Sequence, residues 1–65
     1  MRNTNLINAR KKQGLTQVDL ANKLNVTKSA VSNWESHYAI PPIKRAFKIA
    51  EILKEDVNHL FKLNS

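Results

Sequence analysis

The apolar residues of this chain fall into five short groups at helical spacing, each bounded by capping or helix-breaking residues. Leu6, Ala9 and Arg10 stand at i, i+3 and i+4 and predict a first helix from Thr4 to Gln13, closed by Gly14 as a left-handed cap. Thr16 is an N-cap by type. Asp19, three residues on, is an acidic version of the capping box. The second helix then runs from Gln17 to Leu24 with Leu20, Ala21 and Leu24 on one face. Asn25 tolerates the left-handed backbone of a tight turn, and Val26 returns to the core. Thr27 caps a third helix, Lys28 to Glu35, with Val31 and Trp34 inward. Ser36 to Ile40 reads as a loop, and Pro41 and Pro42 favour a fresh helix start. The fourth helix, Ile43 to Leu53, is expected to bury Ala46, Phe47, Ile49, Ala50 and Leu53. Asp56 caps a last short helix carrying Val57, Leu60 and Phe61. One Gly and two Pro speak against a β-rich fold. The expected fold class is all-α: a compact five-helix bundle forming one domain over residues 1–65, with no repeat, linker or low-complexity tract.

The pair at 17–24 and 28–35 sets the expectation of function. Two short helices are joined by a turn of about three residues, and Leu20, Ala21, Leu24, Val26, Val31 and Trp34 lock them together. That leaves Lys28, Ser29, Ser32 and Asn33 on the outer face of the second of them. Such a helix can donate to phosphates and to base edges, and it is narrow enough to enter a major groove. This is the helix-turn-helix pattern.

Composition sharpens this picture. With 65 residues there is no room for a catalytic domain beside a regulatory one. The absence of cysteine excludes a disulfide framework, a thiolate zinc finger and a Cys nucleophile, and it fits a reducing cytoplasm. No apolar run approaches a membrane span and no signal-peptide core follows Met1, so a soluble, cytoplasmic protein is expected. The net charge of +6 suggests a polyanionic partner, nucleic acid before anionic membrane. The excess is uneven. Residues 1–33 hold Arg2, Arg10, Lys11, Lys12, Lys23 and Lys28 against Asp19 alone, whereas five cations in residues 34–65 face four carboxylates.

Gly14-Leu15-Thr16-Gln17, Leu20-Ala21, Leu24, Val26-Thr27, Val31-Ser32, Trp34-Glu35, Pro41, Ile49-Ala50, Leu53 and Leu60-Phe61 resemble, in order and spacing, the Xre/Cro/phage-repressor helix-turn-helix family. The resemblance runs without a gap from about Leu6 to Phe61. It implies a lambda-repressor-like DNA-binding domain acting as a transcriptional regulator. It further implies that Lys28, Ser29, Ser32 and Asn33 read bases and that Gln17 bonds a phosphate while bracing the recognition helix. Thr27 matches a backbone-contacting cap, and Arg10 and Glu35 occupy the places of an ion pair between helices. The chain departs from the family where Gly is usual: Asn25 in the turn, His37 after the recognition helix, and Lys54-Glu55 before the last helix.

Residue by residue, Arg10 and Glu35 read as structural. Gln17 and Asn33 have no evident core role and read as functional. Thr16, Gln17, Thr27, His37, Lys44 and Arg45 are the candidates for the DNA backbone. Lys11, Lys12 and Lys23 are assigned only to the general field. His37 and His59 lack further ligands at suitable spacing, so no metal and no cofactor is expected. Trp34 reads as core. No residue set is spaced for catalysis, so an enzyme is not expected. The predicted partner is double-stranded operator DNA, an inverted repeat bound by a homodimer. Its interface would come from the fourth and fifth helices and the C-terminal tail, through Val57, Phe61 and Leu63. Two alternatives stand beside it. One is an antitoxin that represses its own toxin-antitoxin operon; the other, of a different class, is a helical module that binds an acidic protein.

Overall fold

The computed structural model describes residues 2–61, and these form five helices: α1 Thr4–Lys12, α2 Gln17–Leu24, α3 Lys28–Glu35, α4 Ile43–Leu53 and α5 Val57–Phe61. There is no strand among the described residues. The all-α expectation holds, and α2, α3 and α4 keep their predicted ends. The first stops one residue early, with Gln13 as its C-cap and Gly14 left-handed behind it (φ 73°). Leu63 and the tail lie outside the described residues.

Local chemistry places each boundary. Thr16 and Asp19 form a complete capping box: Thr16 Oγ1 accepts from Asp19 N–H, and Asp19 Oδ2 accepts from Thr16 N–H. Thr27 Oγ1 accepts from Ala30 N–H to start α3. Asp56 Oδ1 accepts from Asn58 N–H at the start of α5. Pro42 stands at the N-cap of α4 without a side-chain cap bond. The three positions that depart from the family's usual Gly all adopt positive φ: Asn25 at 56°, His37 at 63° and Lys54 at 57°. The backbone therefore keeps the left-handed turns with L-residues in them, and α4 and α5 join through Lys54 as the fold requires.

Leu6, Leu20, Val31, Ile49, Leu53 and Leu60 bring all five helices to one core, with Ala9, Ala21, Ala50 and Trp34 filling between them. Val26, Val57 and Phe61 pack half-buried against it. One expectation fails here: Phe47 is not buried but 53% exposed. The inward face of α4 is Ala46, Ile49, Ala50 and Leu53. Phe47 is one residue, about 100°, past that face, and shares the outward side with Ile43 at i−4.

Asn3 ties the bundle's ends together, a role the sequence pattern did not reveal. Its Oδ1 accepts from Leu6 N–H and caps α1. Its Nδ2 donates to the Leu60 carbonyl at 2.7 Å. Its backbone N–H donates to the Glu35 carbonyl, also at 2.7 Å. One buried residue thus joins the start of α1 to the ends of α3 and α5.

Candidate nucleic-acid interface

The third helix, α3, is held by a buried polar network. Glu35, its last residue, is only 2% exposed. Arg10 Nε donates to Glu35 Oε2 at 2.6 Å and Arg10 Nη2 to Oε1 at 3.2 Å, a two-pronged charge-assisted pair. Arg10 Nη1 reaches the Leu15 carbonyl at 2.8 Å. Gln17 Nε2 completes the set by donating to Glu35 Oε1 at 3.0 Å. The ion pair is where the sequence placed it. The reading of Gln17 as having no core role is corrected: its amide satisfies the buried carboxylate and ties the first turn of α2 to the last turn of α3. No buried side-chain nitrogen or oxygen among the described residues is left without a partner.

Against that inner side, α3 turns Lys28, Ser29, Ser32 and Asn33 outward. Lys28 and Ser29 are exposed, and Ser32 and Asn33 are half-buried. None of the four side chains makes a hydrogen bond among the described residues; the backbone carbonyl of Asn33 accepts from Tyr38 N–H, Ala39 N–H and Ser36 Oγ and folds the loop back over the helix end. The four side chains keep their donors and acceptors for an external partner, which is what base and phosphate contact needs.

The other candidates form two flanks. On one side, Lys11, Thr16, Gln17, Val18 and Lys28 line a common hollow between the end of α1, the start of α2 and the start of α3. The hydroxyl hydrogen of Thr27 remains available, because its oxygen acts as the acceptor in the cap, whereas the Thr16 hydroxyl is also turned to the Asp19 carboxyl. The backbone N–H groups of Gln17 and Val18, in the first turn of α2, also lack intrahelical partners. Lys11, assigned only to the field from sequence, sits in this hollow beside Lys28. On the other side, Lys44 and Arg45 border a groove next to Asn25, in the turn that precedes α3.

His37 is not with either flank. It lies two residues past Glu35, which is itself about 10 Å along α3 from Lys28 by rise alone. There it lines a hollow with Arg2, Trp34 and His59. Two histidines share that hollow, but no group of three metal-ligating side chains occurs among the described residues. Among those residues no helix is long and apolar enough to cross a membrane.

Electrostatics refine one position. The Asp19 carboxyl is held below its ordinary value of 3.8, first by the Thr16 backbone N–H, then by the Thr16 side chain, and more weakly by the Lys23 charge; burial opposes the shift. Asp19 therefore stays ionised at the start of α2, where its charge also complements the helix dipole.

This arrangement of two packed helices, with a short left-handed turn between them and a free outer face on the second, defines a helix-turn-helix protein. Residues 6–60 match the family model described as helix-turn-helix. The chain belongs to that family, which is one of DNA-binding regulators; its Xre/Cro-type members are those the sequence resembles. Neither the comparison with curated proteins nor that with solved structures finds a match.

Proposed function

We propose that the protein is a sequence-specific regulator that sets α3 into the major groove of operator DNA, so as to occlude a promoter or to recruit polymerase beside one. The observation that carries this reading is the contrast between the two sides of α3. The inner side is fixed by Glu35, Val31 and Trp34, and the outer side presents four polar side chains with no internal hydrogen bond among the described residues. Lys28 suits the O6 and N7 acceptors of guanine, and Asn33 the N6 and N7 edge of adenine. Ser29 and Ser32 complete the reading face. Thr16, Gln17 and Thr27 supply donors to one backbone, Lys44 and Arg45 to the other, and His37 to a phosphate at the far end of α3.

The protein acts as a homodimer on an inverted repeat. The described residues span 28 Å at most, less than the roughly 34–36 Å between half-sites one turn apart. The apolar surface for a second copy differs from that expected from sequence. Val57 and Phe61 are partly taken into the core. Tyr38, Ile40, Ile43 and Phe47 are the large exposed apolar side chains of the loop and of α4, at 82, 67, 60 and 53% exposure. Ile43 and Phe47 share one face of α4. Four side chains supply only a fraction of the roughly 800 Å² per partner of a standard interface, so the dimer forms weakly in solution and is completed on DNA.

Selection of bound sites from random duplexes tests the whole reading, because it yields motif, symmetry and spacing together. On the selected site, Asn33→Ala weakens binding by about 1–3 kcal/mol and relaxes one base position, whereas Lys44→Ala weakens matched and mismatched duplexes alike. Equal losses on all duplexes for Asn33→Ala would remove it from the reading face. A selection that enriches no motif would overturn sequence-specific binding.

A further inference from the structure

Four cations scattered over two helices in the sequence meet in one place. Lys23, in the last turn of α2, and Lys44, Arg45 and Lys48, on the first half of α4, line a single open groove of about 270 Å³ with Leu24 and Asn25. No carboxylate lines that groove. Two acids act on its lysines from outside it. Asp19 acts on Lys23 but is engaged in the capping box. Glu51 meets Lys48 at 3.3 Å in an exposed i,i+3 pair, a kind that holds its lysine loosely.

Such a cluster works against the fold. Lys44 and Lys48 stand at i, i+4 on one helix, where like charges repel, and Lys23 and Arg45 add to the same field. Asp19 and Glu51 offset only part of this, and no carboxylate lines the groove itself, so it is suited to an anion from outside. Its position says which. Asn25 borders the groove and lies three residues before Lys28, so the groove adjoins the turn that opens α3. An acidic protein would match the charge equally well; this place beside α3 favours the same duplex that α3 reads.

We propose that this groove is a second phosphate-binding site, which grips the DNA backbone beyond the half-site contacted by α3. Lys23 and Lys48 are its outer contacts, and Lys44 and Arg45 form its near rim. The inference rests on the reading of α3 as a DNA-reading helix. It makes affinity depend on the length of flanking DNA and not on its sequence.

The test compares salt dependence on two duplexes. One is blunt-ended at the selected half-site; the other carries about ten further base pairs, one helical turn, of random sequence at each end. Each phosphate contact contributes about 0.9 to the slope of log affinity against log salt, or about 3.5-fold over a fourfold rise in salt. The Lys23→Gln, Lys48→Gln double variant is expected to lose about 1.8 of slope on the long duplex, about 12-fold over that salt range. It should match the native protein on the short one. The charge-matched control Lys12→Gln, Lys54→Gln, whose residues do not line the groove, should keep the difference between duplexes. An unchanged slope for the groove variant overturns the site and leaves the cluster to an acidic protein. An equal loss in the control overturns it too, by assigning the effect to net charge. Failure of the native protein to bind either duplex would instead overturn the reading of α3 on which this rests.

Discussion

The buried carboxylate of Glu35 is the most informative residue to perturb. Glu35→Gln preserves shape but removes the charge that faces the Arg10 guanidinium at 2.6 and 3.2 Å. The guanidinium is itself buried and cannot discharge, so it is left without a counterion. Removing one partner of a buried pair costs about 3–5 kcal/mol. A chain of this size has a total stability of about 3–10 kcal/mol. The variant therefore stands near its unfolding midpoint at room temperature. Urea titration followed by fluorescence of Trp34, the only tryptophan, reads this directly. With a slope of about 1 kcal/mol per molar urea, the midpoint falls by roughly 3–5 M or the transition disappears. The double variant Arg10→Met, Glu35→Leu replaces both charges by apolar groups and is expected within about 1–2 kcal/mol of the native protein. The residual loss belongs to the Leu15 carbonyl and the Gln17 amide, which are only partly buried and can turn to water. A midpoint for Glu35→Gln within about 1 kcal/mol of native, or a double variant no more stable than Arg10→Met alone, would refute the reasoning.

Three further outcomes follow from the same geometry. Lys54→Gly should stabilise the chain by about 0.5–1 kcal/mol, because Gly removes the left-handed penalty at φ 57° but widens the unfolded ensemble; an unchanged or lower melting temperature would contradict it. Asn3→Ala removes the cap of α1 and leaves the Leu60 carbonyl unpartnered, an expected loss of about 2–4 kcal/mol by urea titration, and a loss under about 1 would contradict the three-way tie. Because the Asp19 carboxyl titrates below its ordinary 3.8 in the folded chain, its contribution is fully present above the unfolded value and is lost as pH falls through the folded one. The gap in melting temperature between native protein and Asp19→Asn should thus hold steady from neutral pH down to the unfolded value and close below it; a gap unchanged to about pH 3 would rule the effect out.

The helix boundaries were legible in the sequence because they are set by contacts within a few residues. Thr16 with Asp19, Thr27 with Ala30, and the left-handed Gly14 and Asn25 are local chemistry, and a linear pattern carries it. The inward faces followed from spacing for the same reason. So did Lys28, Ser29, Ser32 and Asn33: once Ala30, Val31, Trp34 and Glu35 turn inward, one helix has only those positions left to present. What only the tertiary structure decided involves partners far apart along the chain. Asn3 did not stand out in the sequence, and it becomes a tie across 57 positions only when α5 returns to α1. Gln17 has no partner within reach along the sequence, and its brace, which only the family resemblance implied, takes form when folding brings Glu35 to 3.0 Å from its amide. Phe47, apolar and therefore assigned inward, was turned out by a rotation of one residue that only the packing of Ala46, Ile49 and Ala50 defines. Lys23 and Lys48 read as separate surface charges, and the approach of α2 to α4 made them neighbours on one groove. Short-range hydrogen bonding and helical period are written in the order of residues. Which remote polar and charged groups meet is set by how the helices pack, and in this protein that packing braces α3 and brings Lys23, Lys44, Arg45 and Lys48 to one groove.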